Sequence, residues 1–95
     1  MRMFIMSVRD VKADQFSRPF FALALGEALR TFQMECENPE SMLHRFPDDF
    51  RLFRIGEFNQ GSGILLGEAP LEVACARDFV KAEALGQLQV VKEVS

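Results

Sequence analysis

Between Leu25 and Cys36 the apolar residues recur at the spacing of one helix face, and this stretch constrains the fold more than any other. Leu25, Ala28, Leu29, Phe32 and Cys36 stand at i, i+3, i+4, i+7 and i+11, with Glu27, Arg30, Thr31, Gln33 and Glu37 at the remaining positions. That is the pattern of an amphipathic helix lying on a core. Gly26 costs about 1 kcal/mol relative to Ala inside a helix, so the helix is expected to begin just after it. Asn38-Pro39 ends it, because a residue before proline is pushed out of the α region. The same pair can open a short second helix through Ser41, Met42, Leu43 and His44, with Asn38 as N-cap and Pro39 at the first helical position. Pro47 stops that helix.

The segments on either side read as strands. Residues 3–8 are apolar and β-prone and run into a charged turn from Arg9 to Asp14. Residues 15–23 hold Ser17-Arg18-Pro19 before Phe20-Phe21, and a proline there favours a loop or an edge segment. Residues 50–58 carry Leu52, Phe53, Ile55 and Phe58 and read as a strand partly covered on both faces. Asn59-Gln60-Gly61-Ser62-Gly63 is a hairpin break, and Ile64-Leu65-Leu66 is the partner strand. Leu71, Val73 and Cys75 alternate with Glu72 and Ala74, which gives a further short strand after Pro70. The expected fold is therefore α+β, a small antiparallel sheet of three to four strands packed by one main helix, in the order β-α-(short α)-β-β. Residues 1–76 form the expected domain. Residues 77–95 are an extension that reads equally as a helix, an edge strand or a loose tail.

With 95 residues the chain makes one domain, and 48% apolar against 26% charged residues is the balance of a globular protein. Ten Phe stand without Trp or Tyr, and Phe lacks a polar handle, so core packing is their ordinary use. The alternative use is a platform for stacking bases, which needs exposed Phe beside Lys or Arg on a sheet face. Cys36 and Cys75 form no ligand cluster and read as reduced, buried thiols. The apolar start of the chain breaks at Arg9-Asp10, without the longer apolar run and small-residue cleavage site of a signal peptide, and no later run reaches spanning length. A cytoplasmic protein without membrane contact is expected.

Little in the sequence points to catalysis. His44 has no nucleophile or orienting partner at a motif spacing. Asp48, Asp49 and Glu57, with Glu35, Glu37 and Glu40, lack a cation-loop pattern and read as turn and helix-end residues. Gly61-Ser62-Gly63 lacks the lysine and the following helix of a phosphate loop. No enzyme, metal or cofactor is expected. The charge is more informative. The net charge of −3 divides into +2 over residues 1–30, from Arg2, Arg9, Lys12, Arg18 and Arg30 against Asp10, Asp14 and Glu27, and −5 over the rest. Arg9, Lys12 and Arg18, with Phe16, Phe20 or Phe21 beside them, are the candidate contacts to nucleic acid.

The order of residues in the middle of the chain carries a resemblance. Asn38-Pro39-Glu40-Ser41-Met42-Leu43, then Phe46-Pro47-Asp48-Asp49-Phe50-Arg51-Leu52, then Ile55-Gly56-Glu57-Phe58-Asn59 resembles the small nonstructural protein of gokushovirus-type microviruses, which are phages with single-stranded DNA. The residues that carry it are Asn38, Pro39, Ser41, Met42, Leu43, Pro47, Asp49, Phe50, Gly56 and Phe58. The resemblance spans roughly residues 3–66. It departs at Ala24-Leu25, where the family tends to have a polar capping pair, and it leaves the segment after Arg77 unexplained. It implies an accessory protein of the host cytoplasm, absent from the virion. By gene order and size such proteins are equated with the gene C product of better-known microviruses, which acts in the switch to single-stranded DNA synthesis and packaging.

Two functions follow as expectations. The first is a nonenzymatic, homo-oligomeric module that binds a phage or host replication or packaging protein, which suits the acidic balance. The second is a weak single-stranded DNA binder that uses Arg9, Lys12, Arg18 and Phe20.

Overall fold

The computed structural model describes residues 1–80. β1 (Arg2–Asp10) is the central strand, with β4 (Phe50–Asn59) antiparallel on one side and two short strands, β2 (Gln15–Phe16) and β3 (Phe20–Ala22), sharing its other side. β5 (Leu65–Cys75) pairs antiparallel with β4 and closes the order β2-β1-β4-β5. The helix α1 (Leu25–Glu37) and the short helix α2 (Met42–Arg45) lie between β3 and β4 in the chain. The α+β fold and its order are as expected, with five strands instead of three to four because the segment around Pro19 forms two.

That split has a local cause. Between β2 and β3, Pro19 lacks an N–H and the ladder cannot continue. Ser17 bridges the gap: its N–H donates to the Val8 carbonyl at 2.8 Å and its Oγ accepts the Val8 N–H at 3.0 Å. Ser7 is fully buried, and its Oγ donates to the Ser17 carbonyl at 2.7 Å. A buried hydroxyl thus secures the edge where backbone pairing fails.

α1 covers one face of the sheet. Ala28, Phe32 and Cys36 are its buried residues and meet Met6, Ala22 and Leu52, with Phe4, Val8, Phe20 and Phe50 packed around them. Leu25 begins the stripe but stays exposed, since it is the first residue of the helix. The helix starts before Gly26, not after it. Ala24 cannot cap it, and the Glu27 carboxylate accepts the Leu23 N–H instead. The short helix also starts later than the proline suggested. Asn38 Oδ1 accepts the Glu40 N–H in a turn, and Ser41 Oγ is the actual N-cap, accepting from Leu43 N–H at 3.1 Å.

The β4–β5 hairpin turns through Gln60 to Gly63. Asn59 Oδ1 accepts the N–H groups of Gly61 and Ser62, and Gly63 takes a φ of +77°, a left-handed conformation that glycine adopts freely. β5 runs unbroken through Pro70, so the two short strands expected there are one, with register shifts against β4 at Ile55 and Val73. Beyond it residues 76–80 are helical. Ala76 is fully buried and Phe79 meets Phe32 edge to face at 5.9 Å. The core therefore extends past residue 76, and the rest of the expected extension, residues 81–95, lies outside the described residues.

Candidate interaction surfaces

Alternation along β1 sends Phe4, Met6 and Val8 to the helix side and Met3, Ile5, Ser7 and Arg9 to the other. On that second face, Phe16 and Phe53 meet edge to face at 5.3 Å, and the Arg9 guanidinium lies over the Phe16 ring at 5.3 Å. Arg9 also pairs with Asp14, and Arg51 pairs with Glu72 at 3.1 Å. Further along, Phe21 stacks on Phe58 at 5.6 Å.

The expected nucleic-acid residues do not all meet on this face. Arg9 does. Lys12 sits in the β1–β2 turn, and Arg18 sits in the exposed link between β2 and β3. Phe20 pairs with Met6 and packs against the core, so its ring is not free to stack on a base. Its neighbour Phe21, together with Phe16, is the aromatic exposed on this face, and Phe46 is exposed elsewhere. The parity of a three-residue strand decides between Phe20 and Phe21, and composition does not reveal that parity.

The far end of the β4–β5 hairpin forms a second surface that no sequence motif marked. Ile64, Leu65 and Leu66 are each more than half exposed, with Leu65 at 62%, and Phe21 lies beside Leu65 and Leu66. Ile5, Pro19, Phe21, Ile55, Leu65 and Leu66 line a shallow apolar cavity of about 300 Å³ here. A signal existed in the sequence: Ile64-Leu65-Leu66 is a continuous apolar run on what proves to be an edge strand, where alternation would have supplied polar residues. The two charged residues of β5 are neutralised at short range. Glu68 accepts from Arg54 at 3.0 Å and Glu72 from Arg51. Arg54 also lies over the Phe4 ring at 4.7 Å.

Most residues that carried the resemblance have structural duties. Leu43 and Phe50 pack on the core, Pro47 is buried, and the Asp49 carbonyl accepts the Val11 N–H at 2.8 Å. Gly56 faces β5 so closely that a Cβ there would overlap the Leu66 carbonyl oxygen. Met42 is exposed. His44 Nδ1 lies 2.9 Å from the Cys36 carbonyl, and because a carbonyl only accepts, the imidazole donates. It closes the end of α1, which is a structural use. The Cys36 thiol is fully buried, and burial pushes its pKa up to about 12, so it is not a nucleophile near neutral pH. Arg77 donates two 2.7 Å hydrogen bonds to Asp48 and holds its carboxyl below the usual range. Among the described residues no group of His, Cys, Asp and Glu is arranged to hold a metal, and no helix is long and apolar enough to cross a membrane.

The family model for the Phage ORF5 protein matches residues 3–79, which takes in both surfaces and the helical turn after β5. The chain belongs to the Phage ORF5 protein family. It is a phage protein, and the matched span ends at Phe79, the residue that packs on Phe32. Neither a curated protein nor a solved structure matches it.

Proposed function

We propose that this Phage ORF5 protein is a nonenzymatic accessory factor of a gokushovirus-type microvirus. It works in the host cytoplasm, outside the virion, in single-stranded genome synthesis or packaging, and it acts by contact with another protein of that machinery. The observation that carries this reading is the exposed apolar surface of Phe21, Leu65 and Leu66 around one shallow cavity, on a small fold that has already filled its core elsewhere. Contiguous exposed apolar surface of this kind marks interaction sites in soluble proteins. The neutralised glutamates leave no charged target encoded on that face, which suits an apolar protein surface better than phosphate.

The test is infection with phage carrying Leu65→Glu together with Leu66→Glu, with duplex and single-stranded phage DNA measured separately. The expected result is normal duplex and depleted single strands, with loss of a replication or packaging protein that co-purifies with the wild type. Unchanged amounts of both DNA forms contradict the reading.

One observation favours the second reading, single-stranded DNA binding: Arg9 over Phe16, with Phe53 beside it, on the sheet face that α1 leaves bare. Lys12 and Arg18 would add phosphate contacts from the adjoining turns. Base stacking on such a platform is worth about 1–3 kcal/mol per base. Fluorescence anisotropy with a labelled oligonucleotide checks it. Binding that weakens steeply with salt and is lost in Phe16→Ala supports this second role, and absence of binding at low salt removes it.

A further inference from the structure

We infer that a second copy of this chain occupies the distal surface, through antiparallel pairing of β5 with its own symmetry mate around Leu65–Gly67. This rests on the reading of that face as a protein contact, and makes the chain a homodimer there, the form in which it meets the other protein. The sheet has two edges. β2 and β3 together cover the outer side of β1, whereas β5 has no partner on its outer side among the described residues.

The backbone directions at this edge follow from two contacts. The Ile64 carbonyl accepts the Asn59 N–H at 3.0 Å, and the Leu66 carbonyl faces Gly56, so both point toward β4. Alternation then turns the N–H and C=O groups of Leu65 and Gly67 outward, unpaired among the described residues. Antiparallel pairing about a two-fold axis satisfies such groups reciprocally, because one edge is complementary to itself. It stops after Gly67, where the regular register of β5 against β4 breaks off.

Edge strands that stay single are commonly guarded by charge, and this one is not. Its only charged residues, Glu68 and Glu72, are bonded to Arg54 and Arg51 of β4. Two copies therefore approach without like charges facing each other. A partner recognised by charge would leave an unpaired complementary group on the edge, and β5 has none. With the axis near Leu66, Leu65 stands opposite Gly67 of the other copy, whose missing side chain leaves room for the leucine. The two Leu65 side chains then lie diagonally on one face, above the apolar cavity beside Phe21 and Ile55.

Sedimentation velocity on the full chain from micromolar to millimolar concentration tests this. The wild type is expected to double in mass as concentration rises. Leu65→Glu and Leu65→Lys, each with an unchanged thermal midpoint, are expected to remain monomeric, and their equimolar mixture is expected to recover the dimer. A wild type that stays monomeric throughout, or a Leu65→Glu protein that dimerises like the wild type, overturns the inference. If the wild type is monomeric while the Leu65→Glu and Leu66→Glu phage still loses its single strands, the contact takes another protein. Self-pairing then falls and the functional reading stands. A wild-type dimer, broken by the variant in a phage with normal DNA, keeps self-pairing and removes the functional reading.

Discussion

The two halves of the sheet are built from the same strands and put to opposite uses. Near α1, β1 and β4 contribute Met6 and Leu52, both fully buried, against Phe32 and Cys36. At the far end β5, paired with the same β4, carries leucines that remain largely in water. Apolar residues are present in both, so composition is not the difference. The difference is cover: a thirteen-residue helix spans only part of a sheet whose longest hairpin reaches beyond it. What is left bare is free to be spent on contact instead of folding.

The comparison breaks most readily at the covered end. Phe32→Ala is expected to cost about 3–5 kcal/mol in urea unfolding, since it removes a buried ring and leaves Phe79 facing a void. An unchanged midpoint would mean that α1 does not hold the sheet. Gly56→Ala comes next, at about 1–3 kcal/mol or more, because its Cβ would press on backbone, which yields less readily than a side chain. That variant separates strand pairing from core packing, because Gly56 stands at the junction of the two halves.

These two positions also show how far the sequence could be read. Phe32 was legible because helical periodicity is a local signal, repeated over three turns. The hairpin at Asn59–Gly63 was legible because its turn chemistry is local too. Gly56 stood out only through a resemblance, since its duty is set by the Leu66 carbonyl across the strand pair. Likewise the exchange of Phe20 for Phe21 as the exposed ring depends on the pairing of Met6 with Phe20. The unbroken β5 was hidden because Pro70 reads as a breaker unless its strand is known to be an edge. Ser41 displaced Asn38 as the cap because Asn38 was already committed to a turn with Glu40.

Alkaline titration sharpens the comparison further. Cys36 holds its proton in the folded state up to about 12, against an ordinary value of 9.0. The folded protein therefore binds more protons than the unfolded chain between those values. Stability is complete below pH 9 and falls toward pH 12, at up to about 1.4 kcal/mol per pH unit. Cys36→Ala is expected to flatten that fall, measured as urea midpoints across the window. A fall of the same slope in the variant would assign it to other groups.

The smallest effect belongs to the bare end. Leu66→Ser is expected to change stability by less than about 0.5 kcal/mol, as surface substitutions do. A large loss there would place Leu66 in a second core.

Hydrogen exchange resolved to single amides, followed over protein concentration, tests the account most directly. Backbone N–H groups of Met6 and Leu52 are expected to be protected at every concentration. Those of Leu65 and Gly67 are expected to exchange freely in dilute solution and to slow as copies associate. Equal exchange at Leu65 and Gly67 across the whole range would contradict the claim that this edge completes its bonding only in the assembly.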